Sequence, residues 1–159
     1  MHITVRSART DDVTRLADLY REMESEQTAR KPVWALTDGV DEPIESSISA
    51  ALDADDSMVR IGEIDAVPLG FVWLTIEPML SRAHGSRIGR IRLIYTDPPA
   101  RGVGVGHAML EAVLEELRAR GIRHFDAPVG PGQRAAKNFF EAHGFAARSI
   151  IMHHEDREA

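Results

Sequence analysis

The chain has 159 residues, 43% of them apolar, a formal net charge of −6 at pH 7 and no cysteine. That length suits one domain spanning 1–159, and the charge argues against nucleic-acid binding, because a net-acidic surface repels a phosphate backbone. The missing thiol excludes disulfides, thiolate zinc sites and a cysteine nucleophile; no apolar run is long enough for a membrane span, and Met1 to Arg6 lacks a secretory layout, so a cytoplasmic protein without a membrane partner is expected.

Ile3-Thr4-Val5-Arg6 alternates and predicts a first strand. Thr10 is the expected N-cap of a helix, with Asp11 and Asp12 in its first turn, where acids suit the dipole. Val13, Leu16, Ala17, Tyr20 and Met23 then share one face. Residues 25–43 are polar and interrupted by Pro32, Gly39 and Pro43, which predicts a loop with short helical pieces. A second helix is expected from Ile44 to Leu52, burying Ile44, Ile48, Ala51 and Leu52. Met58 to Ile64 and Leu69 to Ile76 read as strands joined by a hairpin at Asp65-Ala66-Val67-Pro68.

After a polar break from Ser81 to Gly89, a strand is expected from Ile91 to Thr96, ended by Pro98 and Pro99, which cannot donate to a ladder. A helix follows from Ala108 to Arg120, with Gly121 as its C′ residue. The rest reads as a strand within Ile122 to Val129, a turn at Pro131-Gly132, a helix from Gln133 to His143 and a closing strand from Phe145 to His153. The order βααβββαβαβ mixes hairpins with crossovers and predicts an α/β fold with a mixed, mostly antiparallel sheet flanked by helices.

Between the Ile91–Thr96 strand and the following helix lies Arg101-Gly102-Val103-Gly104-Val105-Gly106. Glycines permit positive φ and close approach of a ligand. A helix start adds free N–H groups and the positive end of the dipole, so a phosphate is the expected guest. A P-loop would need a lysine after the glycines, and none is there. A dinucleotide turn would use Gly102, Gly104 and Asp126, but its third glycine position is His107, and the Asp97-to-Arg101 run separates strand from turn too widely. A turn that merely connects two elements needs fewer than three glycines.

Arg101 to Gly106 instead resembles R-G-x-G-x-G, the coenzyme A loop of the GNAT N-acetyltransferase superfamily. Pro98 stands at the proline of that family's lead-in, with Thr96 in place of valine. Ala136-Lys137-Asn138-Phe139-Phe140-Glu141-Ala142-His143-Gly144-Phe145 resembles the family's A-x-x-F-Y-E-x-x-G-F helix end. The resemblance is strong over residues 86–152 and rests on element order before residue 80.

That resemblance implies a GNAT-like fold and acetyl transfer from acetyl-CoA to a primary amine of a small molecule or peptide. Direct transfer in a ternary complex is expected, since no cysteine is present to hold an acyl group. The competing reading is a non-catalytic acyl-CoA-binding regulator. By resemblance, the backbone N–H of Ile94 donates to the oxyanion and Tyr95 and Thr96 meet the pantetheine arm. Arg101, Gly102, Val103, Gly104, Val105 and Gly106 hold the diphosphate. His107 either touches a phosphate or caps the turn. Gln133 and Asn138 contact the cofactor. Phe140 contacts the cofactor as well, at the position where relatives often carry a proton-donating tyrosine, and Tyr95 and His143 are the candidates to replace that acid.

The family's common base position is Arg90, which leaves Glu77 and His84 as candidates to accept the amine's proton. Tyr20, Glu22, Glu24, Glu26 and Trp34 fall in the region of the family's acceptor groove. His153-His154 lack chelate spacing, and no metal is expected. A homodimer through the last strands is left open.

Overall fold

Five strands form one sheet in chain order: β1 (Ile3–Ser7), β2 (Ser57–Ile64), β3 (Val67–Pro78), β4 (Arg87–Thr96) and β5 (His124–Asp126). The first four are antiparallel neighbours, and β5 runs parallel to β4. This is the predicted mixed sheet. The architecture comes from a computed structural model describing residues 1–158, in which the chain falls into two units, Met1–Asp126 and Ala127–Ala159.

In the first unit, helices cover both faces of the sheet. On one face lie α1 (Val13–Arg30), the short α2 (Trp34–Thr37) and α3 (Ile44–Asp53). Leu16, Ala17, Leu19, Tyr20, Met23, Ile44 and Ile48 of α1 and α3 pack there against Val59, Ile61, Phe71, Leu93 and Tyr95. On the other face lies α4 (Val105–Ala119), burying Val105, Met109, Leu110, Val113, Leu114 and Leu117.

Three glycines set how closely α4 approaches. A Cβ on Gly62 would stand 2.7 Å from Val105 Cγ1, and one on Gly70 would stand 3.0 Å from Met109 Cε. At the far end of α4, a Cβ on Gly89 would stand 2.7 Å from Leu117 Cδ1. Arg60 of β2 joins the sheet to α4 through Glu116, with Nη2 2.8 Å from its carboxylate.

A bulge in β4 decides which of its residues face which helices. Trp73 pairs with Leu93 but Leu74 pairs with Ile91, so Arg92 is an extra residue without a cross-strand partner. Plain alternation would put Ile91, Leu93 and Tyr95 on one face. The bulge sends Leu93 and Tyr95 toward α1 and α3, and Ile91, paired with Leu74, toward α4. Arg92 stays exposed.

Several boundaries differ from the sequence reading. Helix α1 runs on to Arg30, because Ser25 to Thr28 are polar without being helix breakers, Ala29 favours a helix, and the first proline is Pro32. Only Trp34–Thr37 is helical in the remainder of 31–43. Helix α4 starts at Val105, inside the glycine run, and β5 shrinks to three residues. Thr10 does not cap α1. The chain enters through a 3-10 turn, Thr10–Asp12, where the Asp12 carboxylate accepts the Arg9 N–H at 2.7 Å.

Asp12 is also held by both terminal nitrogens of Arg6 (2.8 and 2.9 Å), and Arg6 Nε reaches Glu63 (3.1 Å). The Arg6 hydrogen bonds hold the Asp12 carboxyl below its ordinary range, against the opposing effect of burial. A lowered native value adds stability that is present above the unfolded value of 3.8 and disappears as pH falls through the native one. Asp12→Asn should therefore cost about 2 kcal/mol near neutrality. The gap from wild type in urea midpoint should close on acidification, with the closure falling below pH 3.8.

The second unit contains α5 (Arg134–Ala142), close to the predicted helix. Phe140 is buried, with edge-on contacts to Phe139 at 5.2 Å and Phe145 at 5.3 Å between centroids. The expected closing strand from Phe145 to His153 is not formed. Its apolar run supplied the period, but a strand also needs a ladder partner, and Ile150, Ile151 and Met152 stand 78–88% exposed.

Candidate active site

The site is built where β4 ends and α4 begins. Leu69 O accepts the N–H of Asp97 at 2.7 Å, which marks Leu69 and Asp97 as a hydrogen-bonded antiparallel pair. Alternation from there makes Phe71–Tyr95 and Trp73–Leu93 bonded pairs and leaves Gly70–Thr96 and Val72–Ile94 unbonded. The N–H groups of Ile94 and Thr96 therefore point away from β3. On that other side β5 pairs with β4 only from Ile88 to Arg90. Beyond Arg90 no strand lines this edge among the described residues, so the Ile94 N–H has no strand partner on that side.

The glycine run follows. Pro98–Ala100 forms a 3-10 turn, and the Arg101 N–H is taken by Pro98 O at 3.2 Å. Gly102 and Gly104 have φ of 82° and 106°, and Gly104 is the N-cap of α4. A side chain at either would be strained. The first main-chain bond of α4 runs from the Ala108 N–H to Gly104 O. Among the described residues, no acceptor takes the N–H groups of Gly102, Val103, Gly104, Val105 or Gly106. Val103 is exposed and Val105 is buried under the sheet, so Val105 anchors the run at the head of α4. His107 is exposed on the first turn of α4.

The Arg101 side chain turns back from this run. Its Nε donates to Thr96 O at 2.8 Å, and its two terminal nitrogens grip the Glu26 carboxylate at 3.2 and 2.9 Å. The guanidinium lies 5.2 Å from the centre of the Tyr95 ring. Glu26 is held below the ordinary carboxylate range, chiefly by its hydrogen bond to Arg101, so it is ionised near neutrality. Burial pushes the Tyr95 hydroxyl up, with Glu26 adding to the effect.

Beside this pair an open groove of about 630 Å³ is lined by Glu22, Ser25 and Glu26 of α1, by Tyr95 and Asp97, and by Arg21, Pro98 and Pro99. Of the other residues expected near the groove, Tyr20 is buried and braces the 31–43 segment, its hydroxyl accepting the Val40 N–H at 2.8 Å. Glu24 accepts from that hydroxyl at 3.3 Å. Trp34 packs against the core.

Glu77 is not brought to Ile94. Ile94 pairs with Val72, so Glu77 lies five residues along β3, roughly 17 Å away. It accepts from Thr75 at 2.9 Å and from Arg90 Nε at 3.1 Å, and these bonds, Thr75's first, hold its carboxyl low. Arg90 bonds Asp126 as well, at 2.8 Å. His84 sits in the turn beyond β3, at that same end.

Gln133, Asn138 and His143 belong to the second unit. The Gln133 side-chain oxygen accepts the Gly130 N–H at 3.2 Å, and Asn138 is exposed on α5. His143 Nδ1 lies 2.8 Å from Phe139 O, which makes that nitrogen the donor.

The sequence profile described as the acetyltransferase (GNAT) family matches residues 13–145. A mycothiol acetyltransferase of Cellulomonas flavigena is 31% identical over 99 residues, which are 60% of this chain and 28% of that protein. The chain thus spans little more than a quarter of that relative's length. Among solved structures, a protein of Bacillus halodurans C-125 described as a transcriptional regulator superposes with a TM-score of 0.78 at 20% identity, covering 96% of this chain and all of that one. The structure titled AAC(6')-Iy in complex with the bisubstrate analog CoA-S-monomethyl-acetylneamine superposes at 0.75 and 20% identity, covering 99% of each chain. These likenesses bear on the fold. The profile match runs through β2, β3, β4, the glycine run and α5, and on it the chain belongs to the GNAT acetyltransferase family.

Proposed function

We propose that this chain is an N-acetyltransferase that passes an acetyl group from acetyl-CoA directly to a primary amine. The observation that carries the reading is the open edge of β4, where the Ile94 N–H has no strand partner, lying next to a run of unclaimed N–H groups at the head of α4. Those groups, from Gly102 to Gly106, suit a diphosphate, whose charge the α4 dipole also favours. A pantetheine arm running along the edge past Thr96 would put its thioester carbonyl at Ile94. The amine attacks the carbonyl carbon, the oxygen becomes an oxyanion, and the Ile94 N–H donates to it. The C–S bond then breaks and the thiolate leaves.

The amine's proton is assigned to water in the groove, because Glu77 lies far from Ile94 and is committed to Thr75 and Arg90. A thiol with a pKa of about 8.5 leaves tolerably as its anion near neutrality, so a donor at position 140 is not essential. Glu26 and Asp97 of the groove are paired with Arg101 and Arg15, so it is Glu22 that favours a cationic acceptor over an anionic one. The one-domain reading is kept as well, supported by a family match that crosses the boundary between the two units. Gln133, Asn138 and Phe140 keep the roles implied by resemblance.

The test is release of free thiol from acetyl-CoA across a panel of primary amines, alongside calorimetric titration with acetyl-CoA. Thiol release that depends on an amine supports the reading. Tight binding with no release for any amine would establish the non-catalytic regulator in its place. Phe140→Tyr should hold or raise turnover in the same assay. A large loss, with the fold intact by circular dichroism, would show that the phenyl ring's packing matters more than the missing hydroxyl.

A further inference from the structure

The arginine that opens the glycine run is already engaged. Three N–H groups of Arg101 have acceptors, one on Thr96 O and two on Glu26, and its guanidinium carbon lies 5.2 Å from the centre of the Tyr95 ring. Glu26 is 75 residues away in sequence and belongs to α1, whose side forms one wall of the groove. Thr96 is the last residue of β4 and carries one of the two N–H groups that face the open edge. A single side chain therefore spans the glycine run, the end of β4 and the groove wall.

We infer that the Arg101 side chain is a positioning residue that ties the cofactor loop to α1, and that it does not act as a ligand of the diphosphate. The inference rests on the proposed seating of acetyl-CoA at this loop. Two physical arguments support it. First, the Glu26 carboxylate already balances the guanidinium charge, so a diphosphate approaching this pair would meet little net attraction. Second, pulling Arg101 away would break a two-pronged carboxylate contact, a bond to a main-chain carbonyl and a ring contact together. The main-chain N–H groups carry no such commitments and can take the diphosphate alone. The tie also gives cofactor and acceptor a shared part, because Glu26 and Tyr95 both line the groove.

Other roles for Arg101 predict different results. If it were a phosphate ligand restrained by Glu26, freeing it with Glu26→Gln should tighten acetyl-CoA binding. If only its positive charge mattered, Arg101→Lys should behave as wild type. As a tie, it needs the planar fork that lysine lacks.

The experiment is calorimetric titration of acetyl-CoA into wild type, Glu26→Gln, Arg101→Gln, Arg101→Lys, the Glu26→Gln/Arg101→Gln double variant, Arg101→Glu, and the exchanged pair Glu26→Arg/Arg101→Glu. Unfolding midpoints confirm that each variant is folded. Glu26→Gln, Arg101→Gln and Arg101→Lys should each weaken binding by a similar factor, about 3- to 10-fold. The double variant should be no weaker than Arg101→Gln, and the exchanged pair should recover much of what Arg101→Glu loses. Tighter binding by Glu26→Gln, wild-type affinity in Arg101→Lys, multiplying effects in the double variant, or no recovery by exchange would each overturn the inference. Failure of wild type itself to bind acetyl-CoA would overturn the proposed function, and this inference with it.

Discussion

Gly104→Asp should abolish acetyl-CoA binding, lowering affinity at least about 100-fold (~2.7 kcal/mol). Gly104 is the N-cap of α4 with φ of 106°, so any side chain there is strained, and an aspartate adds a carboxylate beside the unclaimed N–H groups. Aspartate is a good N-cap elsewhere, and its oxygens would accept from these same N–H groups. The substituted side chain would thus occupy the seat intended for the diphosphate and repel it by charge. The position is exposed, and a Cβ there meets only Ile3 Cδ1 at 3.6 Å, an ordinary contact. The variant should stay folded, and calorimetry beside circular dichroism separates loss of the ligand from loss of the protein. Gly104→Ala carries the strain without the charge and should retain measurable binding. Near-wild-type affinity in Gly104→Asp would show that the cofactor's phosphates sit elsewhere.

Gly62→Val should destabilise the protein by about 3 kcal/mol and also weaken acetyl-CoA binding. The new Cβ would stand 2.7 Å from Val105 Cγ1 and 2.9 Å from Met109 Cγ and Sδ. Met109 has rotatable bonds to spare, whereas Val105 is stiff and sits on the first turn of α4. Relief therefore comes from moving that turn, whose N–H groups belong to the proposed diphosphate seat. Gly89→Val meets Leu117 near the other end of the same helix, with its Cβ 2.7 Å from Leu117 Cδ1. It should cost similar stability while leaving affinity nearly unchanged. A thermal melt and a titration on the two variants make the comparison. Equal effects on affinity would mean that α4 moves as one rigid rod.

The helices of the first unit were largely readable because each buries one stripe. Leu16, Ala17, Tyr20 and Met23 on α1, and Ile44, Ile48 and Ala51 on α3, are all buried as their spacing predicts. The glycine run was readable because it combines a requirement for positive φ with a helix start, two local properties. What escaped depends on partners distant in sequence. Nothing near Glu26 marks it as the partner of Arg101, and nothing near Glu77 says that strand pairing carries it away from Ile94.

The bulge at Arg92 left one faint trace: a charged residue between Ile91 and Leu93 in a strand covered on both faces. Phe145 to His153 failed for the opposite reason. Its local pattern suits a strand, but pairing is decided by a neighbour that the pattern does not contain.

The extra residue in β4 makes the length of that strand a coded quantity. Removing one residue between Leu93 and the glycines would swap inside for outside along everything that follows it, whereas removing Arg92 itself would leave Ile91 and Leu93 in plain alternation on the faces they now hold. Sequence drift by insertion or deletion is thus tolerable in the Ser81–Ser86 turn, where a Cβ on Gly85 meets nothing. Between Leu93 and Thr96 it is forbidden. Homologues with other acceptors are accordingly expected to vary in the turn and to keep the count of residues from the bulge to the glycines.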